Sequence, residues 1–412
     1  MSRSDLLIVG AGPAGAAAAL EAASEGLEVT VVDKARFPRD KCCGDGITTA
    51  ALRQLDELGV DITHLPSHRA IDGFVLTSPK GVAHHYPLAP NHGAVVRRAE
   101  LDNALVDAAR KAGAVVHEER PLERIEIMGE RVQVWAGGHE HQAKWLIAAD
   151  GMWSPTRRLL GAAANPALPS MDSAEPNEGA ATPPRRYLGE WHAFRQYFEQ
   201  VSPAAQQTLM IWFEPDLLPG YVWSFPEGDG AANVGFGIHR GHHYSTQDMG
   251  RLWPELLQRP HIAEFLGADA VPEAPHRAWP IPARLGGLPL SAHGGRVLFA
   301  GDAAAATDPL TGEGIGQALE TGRMAARAIG NASSPSEAAR DYARELRLGM
   351  QRDHTMANLT SKILASESLT EWGLRLASAT NWTTKQFALW LFEAYPRATV
   401  FNPRRWYGTL GK

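Results

Sequence analysis

The chain has 412 residues, 44% of them hydrophobic and 21% charged, an ordinary globular balance, and its length exceeds what one hydrophobic core usually serves, so two domains or one elaborated domain are expected. A formal net charge of −6 gives no sign of nucleic-acid binding, two cysteines argue against a disulfide framework, and no apolar run of about 18 residues is present to span a membrane. No charged leader precedes an apolar stretch at the start, so a cytoplasmic protein is expected, with contact at a membrane surface left open.

The first stretch, "DLLIVGAGPAGAAAALEAASEGLEVTVVDKA", reads as strand, glycine turn, helix and second strand. Gly10, Gly12 and Gly15 supply G-x-G-x-x-G between an apolar strand at 5–9 and an alanine-rich helix. Gly10 allows the tight turn, Gly12 lets a pyrophosphate approach the backbone, and Gly15 lets helix and strand pack closely. The helix N-terminus favours an anion. Asp33, ending the strand at 28–32, can accept from a ribose hydroxyl. This is a dinucleotide site, and the fingerprint alone does not choose between NAD and FAD.

Next comes "FPRDKCCGDG" at 37–46, which places both cysteines in one charged, glycine-bearing loop. "DGFVLTSP" and "GVAHHYPL" then read as strands, and "VVRRAELDNALVDAARKAG" as an arginine-led helix with Arg98 four residues before Asp102. "WLIAADGMWSPTRRLLG" sets Asp150 and Gly151 just after a strand, with Ser154 and Arg157 at fixed offsets. Residues 161–186 are rich in Ala, Pro, Ser and Glu, a composition suited to a mobile surface loop. "GEWHAFRQYFEQV" and "QQTLMIWFEP" alternate as half-buried strands do, and "GYVWSFPEGDGAANVGFG" reads as a hairpin turning at 228–230.

In "GGRVLFAGDAAAATDPLTGEGIGQALETGRMAA" a strand leads to Gly301 and Asp302, then Pro309, Gly312, Gly314 and Ile315 at a helix start. Asp302 can accept from a ribitol or ribose hydroxyl. The helix start would stabilise negative charge building at the N1–C2 edge of a reduced flavin. From about residue 345 the pattern is helical, with Trp372, Trp382, Phe387, Trp390, Phe392 and Tyr395. These aromatics suit either helices packed on the nucleotide domain or a tunnel wall and membrane contact for a lipid. The histidine pairs at 84–85, 139/141 and 242–243 lack the acidic or cysteine partners of a metal site, so no metal is expected.

Three of these segments, the glycine fingerprint, the Asp150-Gly151 step and the Gly301-Asp302 step, together resemble the FAD-dependent group that includes p-hydroxybenzoate hydroxylase. Two further marks are similar to the geranylgeranyl reductase family: P-x-x-K-x-C-G-x-G at Pro38, Lys41, Cys43, Gly44 and Gly46, and Y-x-W…G-x-G at Tyr221, Trp223, Gly235 and Gly237. The resemblance implies FAD held by Gly10, Gly12, Pro13, Ala14, Gly15, Asp33, Lys34, Cys43, Gly44, Arg98, Asp150, Gly151, Gly301, Asp302, Pro309, Gly312, Gly314 and Ile315. It brings the cysteine loop to the flavin ring, where Gly44 and Gly46 would let the backbone approach the isoalloxazine. Cys43, Asp45, Tyr221 and Trp223 are the catalytic candidates, with no choice among the first three for the proton donor.

The expected architecture is α/β. A Rossmann-like FAD-binding domain covers 1–70, 91–160 and 285–350. An inserted antiparallel β-sheet substrate domain covers 71–90 and 187–284, a flexible loop 161–186, and a helical C-terminal region 351–412. The expected activity is saturation of carbon–carbon double bonds in the polyprenyl chain of a lipoquinone such as menaquinone or of a geranylgeranyl lipid. NAD(P)H or a ferredoxin-like protein would supply electrons. An FAD-dependent aromatic hydroxylase and a non-redox flavin-binding protein are the alternatives.

Overall fold

The computed structural model describes residues 2–164 and 189–398. Most of the expected flexible loop and the last part of the C-terminal region lie outside them.

A first sheet of eight strands holds the nucleotide fingerprint. Ser2–Val9 lies at its centre, parallel to Val29–Val32 on one side and to His139–Ala148 on the other. Val115–His117 extends it beyond Val29–Val32, and Val297–Phe299 beyond His139–Ala148, both in parallel. Leu6, Leu7 and Ile8 have no exposed surface, as befits a strand covered on both faces. The helix Pro13–Ser24 packs against Ile315–Asn331, and the approach is close: a Cβ at Gly322 would stand 2.1 Å from the Ala14 carbonyl oxygen.

A second eight-stranded sheet is built around Trp191–Glu199, Ala232–His239 and Tyr221–Pro226, all antiparallel neighbours. It is not wholly antiparallel as expected. Leu209–Trp212 pairs in parallel with Gly73–Thr77, because the latter strand enters the sheet from a separate part of the chain rather than through a hairpin. Strand alternation sorts the two faces. Val222, Val234 and Phe236 point into a core with Leu252 and Trp253 of the helix Met249–Leu257. Tyr221, Trp223 and Phe225 point the other way.

Four helices follow Ile315–Asn331: Pro335–Leu348, Met350–Leu364, Glu367–Ala377 and Asn381–Leu391. Leu374 and Ala388 of the last two join Phe74, Tyr86 and Leu209 in one apolar cluster. The tail therefore packs on the second sheet as well as on the nucleotide-binding part.

Candidate active site

The three glycines of the fingerprint do different work. A Cβ at Gly10, whose φ is +99°, would meet the Ala149 carbonyl oxygen at 2.3 Å, and one at Gly15 would meet the Gly10 carbonyl oxygen at 1.7 Å. Both therefore serve close packing. A Cβ at Gly12 would meet nothing nearer than Arg39 Nη2 at 3.5 Å, so this backbone faces open cavity, as an approaching pyrophosphate requires. Asp33 accepts from the amides of Ala11 at 2.6 Å and Ala35 at 2.8 Å. Those bonds hold the carboxylate at the cavity rim with acceptor capacity to spare.

At the other end of the nucleotide groove, Asp302 Oδ1 accepts from Thr307 Oγ1 at 3.3 Å. The helix Ile315–Asn331 starts at Gly314, which has no side chain to cap it; Glu313 Oε1 takes the Gly316 amide at 2.7 Å, and the helix start faces the cavity, as an anionic group would need. Pro13, Ala14, Lys34, Gly151, Gly301, Gly312, Gly314 and Ile315 all line the same cavity. Of the sequence-expected cofactor residues, Gly15 and Pro309 do not line it; Pro309 is buried behind the turn.

Two charged candidates are committed to partners. Arg98 makes a bidentate pair with Asp102, both bonds at 2.8 Å, and Asp102 also holds Arg39 at 2.8 Å. Arg98 nonetheless forms part of the cavity wall. Asp150 accepts from Ser154 Oγ at 2.6 Å and the Thr156 amide at 2.7 Å, so its side chain organises the start of the helix Pro155–Leu160. Arg157 donates to the carbonyls of Ala303, Ala164 and Pro289. The fixed offsets seen in the sequence thus build a clamp that joins the Asp150-Gly151 and Gly301-Asp302 steps.

The cysteine loop meets the hairpin face to face. Asn233 Nδ2 donates to the Cys43 carbonyl at 2.9 Å and to Asp45 Oδ2 at 2.8 Å, while its Oδ1 accepts from Trp223 Nε1 at 3.0 Å. A single amide thereby fixes Cys43, Asp45 and Trp223 together. The strand register places it there: Phe225, Asn233 and Tyr197 stand in one cross-strand row. Gly235, in the next row, leaves room for the Trp223 indole, which a Cβ would approach to 2.4 Å. Gly44 and Gly46 line the cavity and also meet the hairpin. A Cβ at either would meet the Phe225 ring at 3.2 Å, so these glycines fit the loop to the hairpin.

Asp45 is fully buried, with φ +64°. Tyr197 donates to the same oxygen as Asn233, at 2.6 Å, and Oδ1 has no partner. Burial pushes this carboxyl up to about 6, against the opposing pull of Arg195, Tyr197 and Asn233. The Cys43 thiol, which accepts from the Asp45 amide at 3.4 Å, is raised by burial and by Asp45. Cys42, donating to the Arg277 carbonyl at 3.4 Å, is pushed by burial up to about 11. Both sulfurs are free and held as thiols rather than thiolates. Lys41 lies with its ammonium 3.9 Å from the Trp279 ring centre and has no ion-pair partner among the described residues. The Tyr221 hydroxyl donates to the Thr311 carbonyl, tying the hairpin to the glycine turn.

Lys41, Cys42, Cys43, Asp45, Tyr221 and Trp223 share one cavity of about 1130 Å³, with Asn233 and Tyr197 behind its wall. It continues past Tyr221 and Trp223 to Leu374, Phe387 and Trp390 of the C-terminal helices. Asn233, Tyr197 and Glu313 are functional candidates that the sequence reading missed. The first two announce themselves only through cross-strand register. Glu313 lines the cavity, accepts from the Gly316 amide at 2.7 Å, and is pushed up to about 8 by burial and by Glu393. Among the described residues no His, Cys, Asp and Glu gather as a metal site would require.

Comparison with known proteins agrees with this layout. Residues 3–198 match the family model of an FAD binding domain, and residues 192–259 that of a geranylgeranyl reductase catalytic domain. The chain is 34% identical to the menaquinone reductase of Mycobacterium tuberculosis over 348 residues, 79% of this chain and 76% of that one. It is 32% identical over 333 residues to digeranylgeranylglycerophospholipid reductase 1 of Methanopyrus kandleri, covering 78% and 79% of the two chains. In fold it is similar to a geranylgeranyl bacteriochlorophyll reductase-like protein from Thermoplasma acidophilum, with a TM-score of 0.76, 21% identity, and 97% and 98% of the two chains covered.

Proposed function

The chain belongs to the geranylgeranyl reductase family of FAD-dependent oxidoreductases, and from that membership we propose that it saturates carbon–carbon double bonds in the polyprenyl chain of an isoprenoid lipid. A lipoquinone such as menaquinone is the first candidate and a geranylgeranyl lipid the second. The observation that carries this reading is the single cavity that joins the dinucleotide groove, the cysteine loop and the apolar C-terminal helices.

FAD is the cofactor and, when reduced, supplies the hydride. The open backbone at Gly12, the acceptors Asp33 and Asp302 and the helix start at Gly314 fit its pyrophosphate and hydroxyl groups. An isolated alkene is a poor hydride acceptor, so the protein must supply a positioned acid and exclude water. Tyr221 and Trp223 wall the cavity beside the cysteine loop. The Cys43 thiol and the Asp45 carboxyl, both raised by burial, are the acid candidates at that place, and Asn233 fixes both. Arg98 and Lys41 line the cavity, and their cationic forms would favour negative charge on a reduced cofactor bound there.

The far end of the cavity supports a peripheral membrane contact for substrate entry. Ile363, Leu369 and Trp372 line it and are also exposed, Trp372 to 62%. Among the described residues no helix is long and apolar enough to cross a membrane. Electrons come from NAD(P)H or a ferredoxin-like protein, distinguished by which of them bleaches the flavin absorbance.

The decisive experiment is anaerobic incubation of the reduced enzyme with menaquinone and geranylgeranyl lipids, read by mass spectrometry. A product heavier by two hydrogens is expected. No such product from any polyprenyl lipid would overturn the proposal.

A further inference from the structure

Glu313 stands between Gly312 and Gly314, and all three line the cavity. Its Oε1 accepts at 2.7 Å from the amide of Gly316, the second residue of the helix Ile315–Asn331. Gly316 leaves room for this bond, since a Cβ there would stand 3.4 Å from that oxygen and 3.3 Å from the Ala51 Cβ. The same helix start is the place where negative charge on a reduced cofactor would be stabilised. A helix N-terminus offers about half an elementary charge, too little to offset a carboxylate and an anionic cofactor together.

The cation that faces Glu313 is Arg397, and it is committed elsewhere: it pairs with Asp308 and, at 3.1 Å, with Glu393. Against the cost of burial, Arg397 holds Asp308 below the ordinary carboxylate range. Asp308 Oδ1 also takes the Thr311 amide and hydroxyl, both at 2.8 Å. Glu393 accepts from Thr48 Oγ1 at 3.0 Å and from Gln317 Nε2 at 3.1 Å. Both acids face Glu313, which forms no ion pair among the described residues. Cys43 and Tyr221, on the same cavity wall, feel its charge. We propose that Glu313 is a redox-linked proton site, which takes up a proton when the bound cofactor is reduced and releases it on reoxidation, so that the helix start never holds two negative charges. This rests on the reading of the cavity as the FAD site of a reductase.

The two-electron donor supplies the electrons, one proton joins the cofactor, and a second passes from water to the Glu313 carboxylate. When hydride leaves for one alkene carbon, the negative charge leaves with it. The Glu313 O–H bond then breaks and its proton returns to water. The other alkene carbon takes its proton from an acid of the cysteine loop, which water recharges. The net uptake per saturated bond is two electrons and two protons. Burial, then Glu393 and Asp308, push Glu313 up to about 8, against the Gly316 amide and Arg397. Below that pH the carboxyl is already protonated and adds no proton on reduction. Above it a reduced, anionic cofactor raises the carboxyl further, and the uptake is linked to the electrons.

The test is the reduction potential of the full-length, FAD-loaded protein, followed against pH without lipid. In the wild type the potential should fall more steeply above about pH 8, by one extra proton per two electrons. In Glu313→Gln, whose amide oxygen can keep the Gly316 bond, this break should vanish. At about pH 9 reduction of the variant should be favoured about tenfold over the wild type, or about 30 mV for a two-electron couple. Below about pH 7 the two potentials should coincide. Glu393→Gln, which removes an acid facing Glu313, should move the break to lower pH. A second readout is the infrared difference spectrum on reduction at about pH 9, where a protonated-carboxyl C=O band should appear in the wild type and be missing in Glu313→Gln. Potentials that coincide at every pH, a break that persists in Glu313→Gln, or no such band would overturn the proposal. Should Glu313→Gln not retain FAD, Glu393→Gln carries the test, and an unmoved break would overturn it. The potentials need no substrate, so failure of the wild type to reduce any lipid would overturn the reductase reading alone.

Discussion

At the scale of single residues, the site depends on a few positions whose surroundings leave no freedom. Asp302 lies beside the start of the helix Ile315–Asn331, and among the described residues its carboxylate is bonded by the Thr307 hydroxyl at 3.3 Å. Asp302→Ala should lower FAD retention on gel filtration by at least about tenfold in affinity, since a hydrogen bond to a charged group contributes about 1.5–3 kcal/mol; undiminished retention would remove it from the cofactor site. Gly235 is constrained from two sides, as an added Cβ would stand 2.3 Å from the Phe194 carbonyl oxygen and 2.4 Å from the Trp223 ring. Gly235→Ala should therefore destabilise the protein by about 1–3 kcal/mol, seen as a lower urea midpoint. An unchanged midpoint would mean the hairpin does not pack as described. Gly12 and Asp33 were legible from sequence because their chemistry is local, within one strand–turn–helix. Asn233 was not, because Cys43 and Asp45, which it binds, lie on a loop far from it in the chain, and nothing beside it marks it out.

At the scale of elements, the hairpin and the C-terminal helices divide the cavity between them. Alternation along 220–237 indicates a two-faced ribbon, and the aromatic face does look into the cavity. The tail was legible as helical, but the sequence left its aromatics between core packing and lipid contact. The structure divides them by residue. Trp390 and Phe387 pack inside, Trp372 is exposed at the cavity, and Trp382 is 57% exposed. Arg397 fixes this region to the glycine turn before the helix Ile315–Asn331: its guanidinium pairs with Asp308 and, at 3.1 Å, with Glu393. Trp372→Ser should weaken sedimentation with lipid vesicles while leaving the FAD spectrum unchanged, since an exposed indole contributes to interfacial binding but not to the fold. Equal sedimentation of variant and wild type would place the membrane contact elsewhere.

At the scale of the whole molecule, the buried acids couple the site to stability. Asp45 and Glu227 both have folded values above their ordinary 3.8 and 4.5, at about 6 and about 8. Between those limits the folded chain binds more protons than the unfolded chain, so stability is highest at the acid end and falls as pH rises through the window. The double variant Asp45→Asn with Glu227→Gln should lose less stability between pH 5 and pH 8 than the wild type in chemical denaturation. The same loss in both proteins would mean these carboxyls are not buried as acids. The order of segments along the chain, with a glycine fingerprint, a Gly301-Asp302 step and a cysteine loop, determined by itself that this is a two-part α/β flavoprotein, because each segment's hydrogen-bonding and steric task is completed within a few residues. Only the tertiary structure decided that Gly44 and Gly46 fit a phenylalanine, that Arg157 clamps two cofactor segments together, and that Asp45 shares a buried hydrogen-bond network with Tyr197 and Asn233. Burial and strand register arise from contacts between distant parts of the chain, and no single stretch of it carries them.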